Sequence, residues 1–352
     1  AKRNGRNRYE CFNVELDVAA RQRRLVETDL RTALHLGQLQ LHYQPVVDQQ
    51  TSSVTGYEAL MRWEHPSRGM VMPMDFIPIA EETGLIHELG IRALNLACQE
   101  AASWDSEQTV SVNLSPVQFK HANLVHIVAL ALADSGLPAR RLELEITESV
   151  LLGNSEENVR TLRALKDLGV SISLDDFGTG YSSLGYLRSF PFDRIKIDKS
   201  FVHDMCDSRE AMSIIRAITE LSNSLMIKTT AEGVESEEQL NFLRQHNCHY
   251  AQGRYLGDAV GAADFLKLLE AQLFTYHKGD KSYSFLSLDK IKNYDDLNSL
   301  FFQVLARQYD DRNQDVKKAF EKVPYLRGSG VIPARFEEFK SEISLIIKDI
   351  CC

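Results

Sequence analysis

The chain has 352 residues, 44% of them hydrophobic, enough to bury a large core and leave room for about two domains. Its formal charge of −9 argues against a broad nucleic-acid surface, so no DNA or RNA polymer is expected as a partner, although a local cationic pocket or bound metal could still receive an anionic ligand. Six cysteines (Cys11, Cys98, Cys206, Cys248, Cys351 and Cys352) without CxxC or Cys/His spacing indicate neither a zinc finger nor a disulfide scaffold and point to reduced thiols in a cytoplasmic chain.

No apolar run reaches the length of a membrane span and no signal peptide opens the sequence. The start at Ala1 rather than Met points to a fragment, with sensory or membrane-attaching modules left to a longer parent. In chain order, strand-like runs fall at 39–48, 54–63, 109–115, 141–147, 171–176, 194–198, 226–232 and 250–255. From the third onward amphipathic stretches separate them, among them Phe119 to Asp134, Glu156 to Leu168, Ala211 to Leu221 and Glu237 to Gln245. Repeated βα units of this kind predict a parallel sheet closed into an α/β barrel of the (β/α)8 TIM type. Only Gln49 to Ser53 joins the first two strands, which is too short for a parallel crossover, so a hairpin and an antiparallel first strand are expected. Between the second and third strands, Pro66, Pro73 and Pro78 suggest an irregular lobe, followed by a helix over Leu85 to Ala101.

Side-chain alternation assigns a chemical face to the barrel interior. Val110, Val112 and Leu114 oppose Ser111 and Asn113, Leu142, Leu144 and Ile146 oppose Glu143 and Glu145, and Ile195 and Ile197 oppose Arg194, Lys196 and Asp198. Barrel interiors normally hold bulky aliphatic residues, so acids and a lysine there need a reason. Glu58, Asn113, Glu145 and Asp175 supply oxygen ligands from four strands, with Asp176 and Glu232 nearby in strand order. Oxygen-only ligation suits Mg²⁺ or Mn²⁺ rather than zinc or copper. Each residue also has an ordinary role open to it. Asp175-Asp176 before Phe177-Gly178 reads equally as turn or capping chemistry, Glu145 as a partner of Lys196, and Asn113 and Glu232 as caps. Lys196 could be a salt-bridge partner, a phosphate binder or a positioner of water, and Arg62, on the face of Glu58 and Leu60, could hold a phosphate or neutralise the acids.

These residues stand in longer motifs. Tyr43-Gln44-Pro45, Glu58-Ala59-Leu60-Met61-Arg62-Trp63, Phe76-Ile77-Pro78-Ile79-Ala80-Glu81-Glu82, Asn113-Leu114-Ser115 and Glu145-Ile146-Thr147-Glu148 come first, followed by Asp175 to Leu184, Lys196-Ile197-Asp198, Ala231-Glu232-Gly233-Val234-Glu235 and Gln252-Gly253. In content and order, from about Arg23 to Gln272, they resemble the EAL family of cyclic di-GMP phosphodiesterases.

The resemblance implies hydrolysis of cyclic di-GMP to linear pGpG by a water activated between two Mg²⁺ or Mn²⁺ ions. Glu58, Asn113, Glu145 and Asp175 would hold one ion, and Asp175 and Asp176 the second. Lys196 and Glu232 would position water, Gln44, Leu60, Arg62 and Gln252 would meet the ligand, and Glu148 and Glu235 would brace the loop Phe177 to Leu184. A homodimer is implied as well. The alternatives are a receptor that binds the dinucleotide without cleaving it and, from barrel chemistry alone, an enolase-like enzyme. After Gln252-Gly253 the sequence departs from the family's usual aromatic, basic residue and Pro; Thr229-Thr230 replaces its usual aliphatic pair, which reads as a packing variation.

Residues 1–16 resemble the end of a GGDEF domain without its catalytic signature, and 17–30 read as a connecting helix leading into a barrel over 31–273. Residues 274–352 read as a helical appendage, with amphipathic spacing at Asn298 to Arg307 and Phe336 to Asp349 and a faint likeness to a restriction-modification methyltransferase segment at Phe320 to Leu326.

Overall fold

The structure is a computed structural model that describes residues 14–104, 107–119, 123–151, 155–178, 190, 192–262, 273–278 and 281–286. It forms two compact units, Ala1–Ala262 and Ala263–Cys352.

The first unit opens on α1 (Val14–Leu36), a single helix across the span where a connecting helix is expected. Strands β1 (Leu39–Asp48) and β2 (Val54–His65) then pair antiparallel, with Gln44 opposite Glu58. The hairpin forms because Asp48 Oδ1 accepts from the backbone N–H groups of Gln50 and Thr51, at 2.8 and 2.9 Å, and so turns the chain. Strands β4 (Thr109–Leu114), β5 (Leu142–Thr147), β6 (Ser171–Phe177), β7 (Arg194–Ile197), β8 (Lys228–Ala231) and β9 (Tyr250–Ala251) follow β2 in parallel order, and β9 returns to pair antiparallel with β1. The barrel is therefore closed and eight-stranded, with an antiparallel first strand as expected. The short strands β3 (Gly69–Val71) and β10 (Val260–Gly261) extend the sheet at β2 and β1.

The lobe between β2 and β4 is more regular than its prolines imply. Besides β3 it contains α2 (Pro73–Thr83) ahead of α3 (Ile86–Ala102). Pro73 opens α2, where its missing N–H costs nothing, while Phe76, Ile79 and Ala80 anchor the helix by burial and so outweigh the interior Pro78. Phe76 and Ala80 join Leu30 and Ala33 of α1 and Trp63 of β2 in one apolar cluster. Helix expectations shift elsewhere too: the stretch from Phe119 divides into α4 (Pro116–Phe119) and α5 (Leu124–Ser135). The remaining described α-helices are α6 (Ser155–Asp167), α7 (Lys199–Asp204), α8 (Arg209–Ser224) and α9 (Glu237–Gln245).

The apolar strand faces are buried as the alternation requires. Val110, Leu142, Leu144, Ile146, Ile172, Ile195 and Ile197 are all fully enclosed. Their burial fixes the opposite faces, which carry Ser111, Asn113, Glu143, Glu145, Ser173, Asp175, Arg194 and Lys196, toward the barrel axis. Thr229 and Thr230 do more than pack. Thr230 Oγ1 accepts from Arg194 Nη1 at 3.2 Å, and Thr229 Oγ1 lies 3.1 Å from His249 Nδ1. Cys98 and Cys248 are buried free thiols and Cys206 is an exposed one. Among the described residues no helix is long and apolar enough to cross a membrane.

In the second unit β11 (Leu273–Lys278) and β12 (Lys281–Leu286) form an antiparallel hairpin, so this part is not wholly helical. The helical stretches expected at Asn298 to Arg307 and Phe336 to Asp349, and the segment Phe320 to Leu326, lie outside the described residues.

Candidate active site

Because β2 and β4 to β8 run parallel, their C-terminal ends meet at one mouth of the barrel, where side chains from different strands can converge. Register places Asn113 beside Glu145, Glu145 beside Ser173, and Thr147 beside Asp175. At the centre stands the ammonium of Lys196, whose side chain is 2% exposed. Its Nζ lies 2.5 Å from Glu145 Oε2, 2.5 Å from Glu232 Oε1, 3.4 Å from Glu58 Oε2 and 3.4 Å from Asp175 Oδ1. Of the open readings for Lys196, the salt-bridge contacts are thus present, and with four carboxylates at once.

A second layer of amides orients Glu58. Asn113 Nδ2 donates to its Oε1 at 2.7 Å, and Gln252 Nε2 donates to its Oε2 at 2.7 Å and to Gln44 Oε1 at 3.0 Å. Gln44 Nε2 in turn donates to the carbonyl of Gly257 at 3.1 Å, tying the departure segment after Gln252 to the site. The half-buried Arg62 donates from Nη1 to the carbonyl of Met61 at 2.9 Å. Below the mouth, Arg194 Nε lies 3.2 Å from Glu143 Oε2 and the guanidinium stacks 4.3 Å from the Tyr250 ring, closing the floor.

Strict strand alternation would send Asp175 and Asp176 to opposite faces. The backbone breaks the alternation at the end of β6, where the pairing with β7 slips between Leu174 and Phe177 and Asp176 takes φ +54°. Aspartate tolerates this left-handed conformation better than most residues. Asp176 thereby reaches Asp198, a contact that reading the strands one by one misses. Asp198 also caps α7, accepting from the N–H of Ser200 at 3.0 Å. Glu148 Oε1 accepts from the N–H of Gly178 at 3.0 Å, at the start of the loop it is expected to brace. Glu235 lies 3.9 Å from Arg254 and 4.0 Å from His203, and the loop from Thr179 to Leu184 lies outside the described residues.

The charges in this cluster do not balance. Burial opposes charge on Lys196, but Glu145, Glu232, Glu58 and Asp175 outweigh it and hold the ammonium protonated well above the ordinary lysine range. Burial also pushes Glu58 up, yet Lys196 and the amides of Gln252 and Asn113 prevail and bring it below its usual value. Glu145 goes the other way, held well above the carboxylate range by burial and by repulsion from Glu58. Glu232 is pushed up to about 8, chiefly by burial, against the pull of Lys196. Asp176 rises to about 6 through burial and its neighbours Asp175 and Asp198.

A test of this imbalance follows from Glu232. The folded protein keeps a proton on Glu232 that the unfolded chain has lost, so stability declines as pH rises from the ordinary glutamate value through about 8. With divalent ions removed by a chelator, Tm is expected to fall by about 2–4 °C for each pH unit between pH 7 and 8. Glu232→Gln should flatten the slope in thermal melts at fixed ionic strength; a flat profile in the parent protein would contradict the crowding of Glu232.

The residues fit divalent cations by donor chemistry. All candidate ligands are oxygen donors, and among the described residues Gln252 Oε1 and Ser173 Oγ are buried without a hydrogen-bond partner, as is Asp175 Oδ1 apart from its 3.4 Å ion pair to Lys196. Among the described residues no three His, Cys, Asp or Glu groups are gathered into a ready-made cage. Lys196 stands between the carboxylates instead, and burial and repulsion among the acids raise the pKa values of Glu145 and Glu232 although the ammonium lies against both.

Comparison with known proteins agrees with this geometry. Residues 27–259 match the model of the EAL domain. The chain belongs to the EAL family. The EAL domain of this chain resembles the bifunctional diguanylate cyclase/cyclic di-GMP phosphodiesterase MucR of Pseudomonas aeruginosa, with 41% identity over 270 residues, 76% of this chain and 39% of that protein. It is also 41% identical over 278 residues to the cyclic di-GMP phosphodiesterase NbdA of the same organism, covering 78% of this chain and 36% of NbdA. The solved MucR phosphodiesterase in complex with c-di-GMP superposes with a TM-score of 0.67 at 41% identity, covering 68% of this chain and 99% of that one. The chain spans about a third of the length of the curated relatives it matches. Beyond the EAL domain, residues 261–350 match a domain of unknown function, DUF7814, which gives the second unit a family of its own.

Proposed function

We propose that the EAL domain hydrolyses cyclic di-GMP to linear pGpG with two Mg²⁺ or Mn²⁺ ions. The observation that carries this reading is the buried Lys196 ammonium encircled by Glu58, Glu145, Asp175 and Glu232 at the barrel mouth. Glu58, Asn113, Glu145 and Asp175 are suited to hold one ion, and Asp175 and Asp176 the second. Such ions would supply Lewis-acid polarisation of a phosphate oxygen and a lowered pKa for the attacking water.

The remaining chemistry belongs to the protein. Lys196 Nζ and Glu232 Oε1, in direct contact at 2.5 Å, can each hydrogen-bond an attacking water beside them and so fix its approach to phosphorus. Arg62 offers a forked pair of N–H donors to a phosphate, and Leu60, on the same face of β2, offers an apolar contact to the ligand. Gln252 and Gln44 keep Glu58 in one orientation through the bonds described, and can turn their amides to the ligand.

The reading is tested by incubating the chain with cyclic di-GMP and Mg²⁺ or Mn²⁺ and resolving the nucleotides by chromatography. Accumulation of pGpG supports it. Tight binding of cyclic di-GMP with no pGpG would favour the receptor reading, and neither binding nor turnover would remove both.

A further inference from the structure

A cavity lies outside the barrel wall, between β2 and β4 on one side and α2 and α3 on the other. Its volume is about 400 Å³. Protein interiors hold few voids larger than a water molecule, whereas small-molecule sites occupy roughly 300–1,000 Å³. Met61, Ile77, Leu89 and Val112 make it largely apolar, and Glu81, Asn113, Ser115, Gln118 and Thr147 supply its polar edge. Ser115 Oγ donates to Glu81 Oε1 at 2.6 Å, Asn113 Nδ2 is turned to Glu58 and Gln118 Oε1 accepts from the Ser115 N–H at 3.0 Å, so the charged group at this edge is the Glu81 carboxylate, which only accepts. At the start of α2 the chain reads Met70-Val71-Met72-Pro73-Met74, and these three methionines are 44%, 43% and 78% exposed. Met74 also lines the cavity. Methionine is flexible and polarisable, and exposed runs of it line surfaces that adapt to apolar ligands.

We propose that this cavity binds an uncharged apolar molecule of about two fused rings that carries one N–H or O–H donor. The donor meets the Glu81 carboxylate while the rings replace empty space against Met61, Ile77 and Val112. An anion is rejected by Glu81, and a strongly charged cation loses its hydration against the apolar wall. The cavity also touches Leu60, Asn113 and Thr147, so an occupant borders residues that face the barrel mouth.

The probe is the neutral dye N-phenyl-1-naphthylamine, titrated into the full chain. A saturable, one-to-one rise in fluorescence is expected. Ala93→Phe, which fills the cavity from α3, should weaken binding at least tenfold, whereas Leu225→Ser, at an exposed apolar position elsewhere, should leave it unchanged. Circular dichroism establishes that both variants are folded. Should Ala93→Phe fail to fold, methyl NMR of the parent chain decides instead: dye-induced shifts at Met61 and Met74 support the site. Absence of saturable binding, unchanged affinity in folded Ala93→Phe, or shifts confined to Met226 would overturn it.

Discussion

Glu58→Ala is expected to lower cyclic di-GMP turnover by at least about 10²–10³-fold while leaving the fold intact, because the loss falls on the reacting centre. Glu58 is 5% exposed and accepts from Asn113 and Gln252; Gln252 keeps its bond to Gln44, so removal of Glu58 strands chiefly the Asn113 amide, at about 1–3 kcal/mol. The same change removes a like charge that repels Glu145, which offsets part of that loss. Activity and stability should therefore separate. Chromatography would show pGpG formation abolished, and thermal melting would show Tm shifted by only a few degrees, using roughly 2–4 °C per kcal/mol for a domain of this size. Turnover retained in this variant would displace Glu58 from the site.

Lys196→Met is expected to damage activity and stability together. Lys196 is the cation that touches Glu58, Glu145, Asp175 and Glu232, and the methionine keeps its length while deleting its charge. Removing one member of a buried ionic group leaves uncompensated charge and costs about 3–5 kcal/mol. The carboxylates relieve that cost by taking up protons, so the variant should be more stable at pH 5.5 than at pH 8 in the absence of divalent ions. Urea unfolding at the two pH values measures the difference. If Lys196→Met unfolded at the parent's urea midpoint at pH 8, the buried cluster would not have the charge arrangement described. Glu58→Ala loses an anion from a surplus of anions; Lys196→Met loses the cation that holds them.

Much of the barrel was legible in the chain because its signals are local. Ile172 and Leu174 must face one way when Ser171, Ser173 and Asp175 face the other, and the five residues from Gln49 to Ser53 leave room for a hairpin but not for a crossover. The helix α2 was less legible, since Pro78 argues against a helix and only burial of Phe76, Ile79 and Ala80 overrides it. The same holds at β8. Thr229 and Thr230 look like substitutes for aliphatic residues until Arg194 of β7 donates to the Thr230 hydroxyl and His249, just ahead of β9, meets the Thr229 hydroxyl.

The candidate site divides in the same way. The sequence by itself determined the family, the closed barrel with an antiparallel first strand, and the acids and lysine that line its interior, because strand alternation and motif order depend on nearest neighbours along the chain. Only the tertiary structure decided that Lys196 stands among four carboxylates, that Gln252 bonds Glu58 across 194 positions, and that Asp176 turns onto Asp198. Those contacts depend on barrel closure and on one left-handed residue at the end of β6, and a carboxylate's charge state depends on what surrounds it in space.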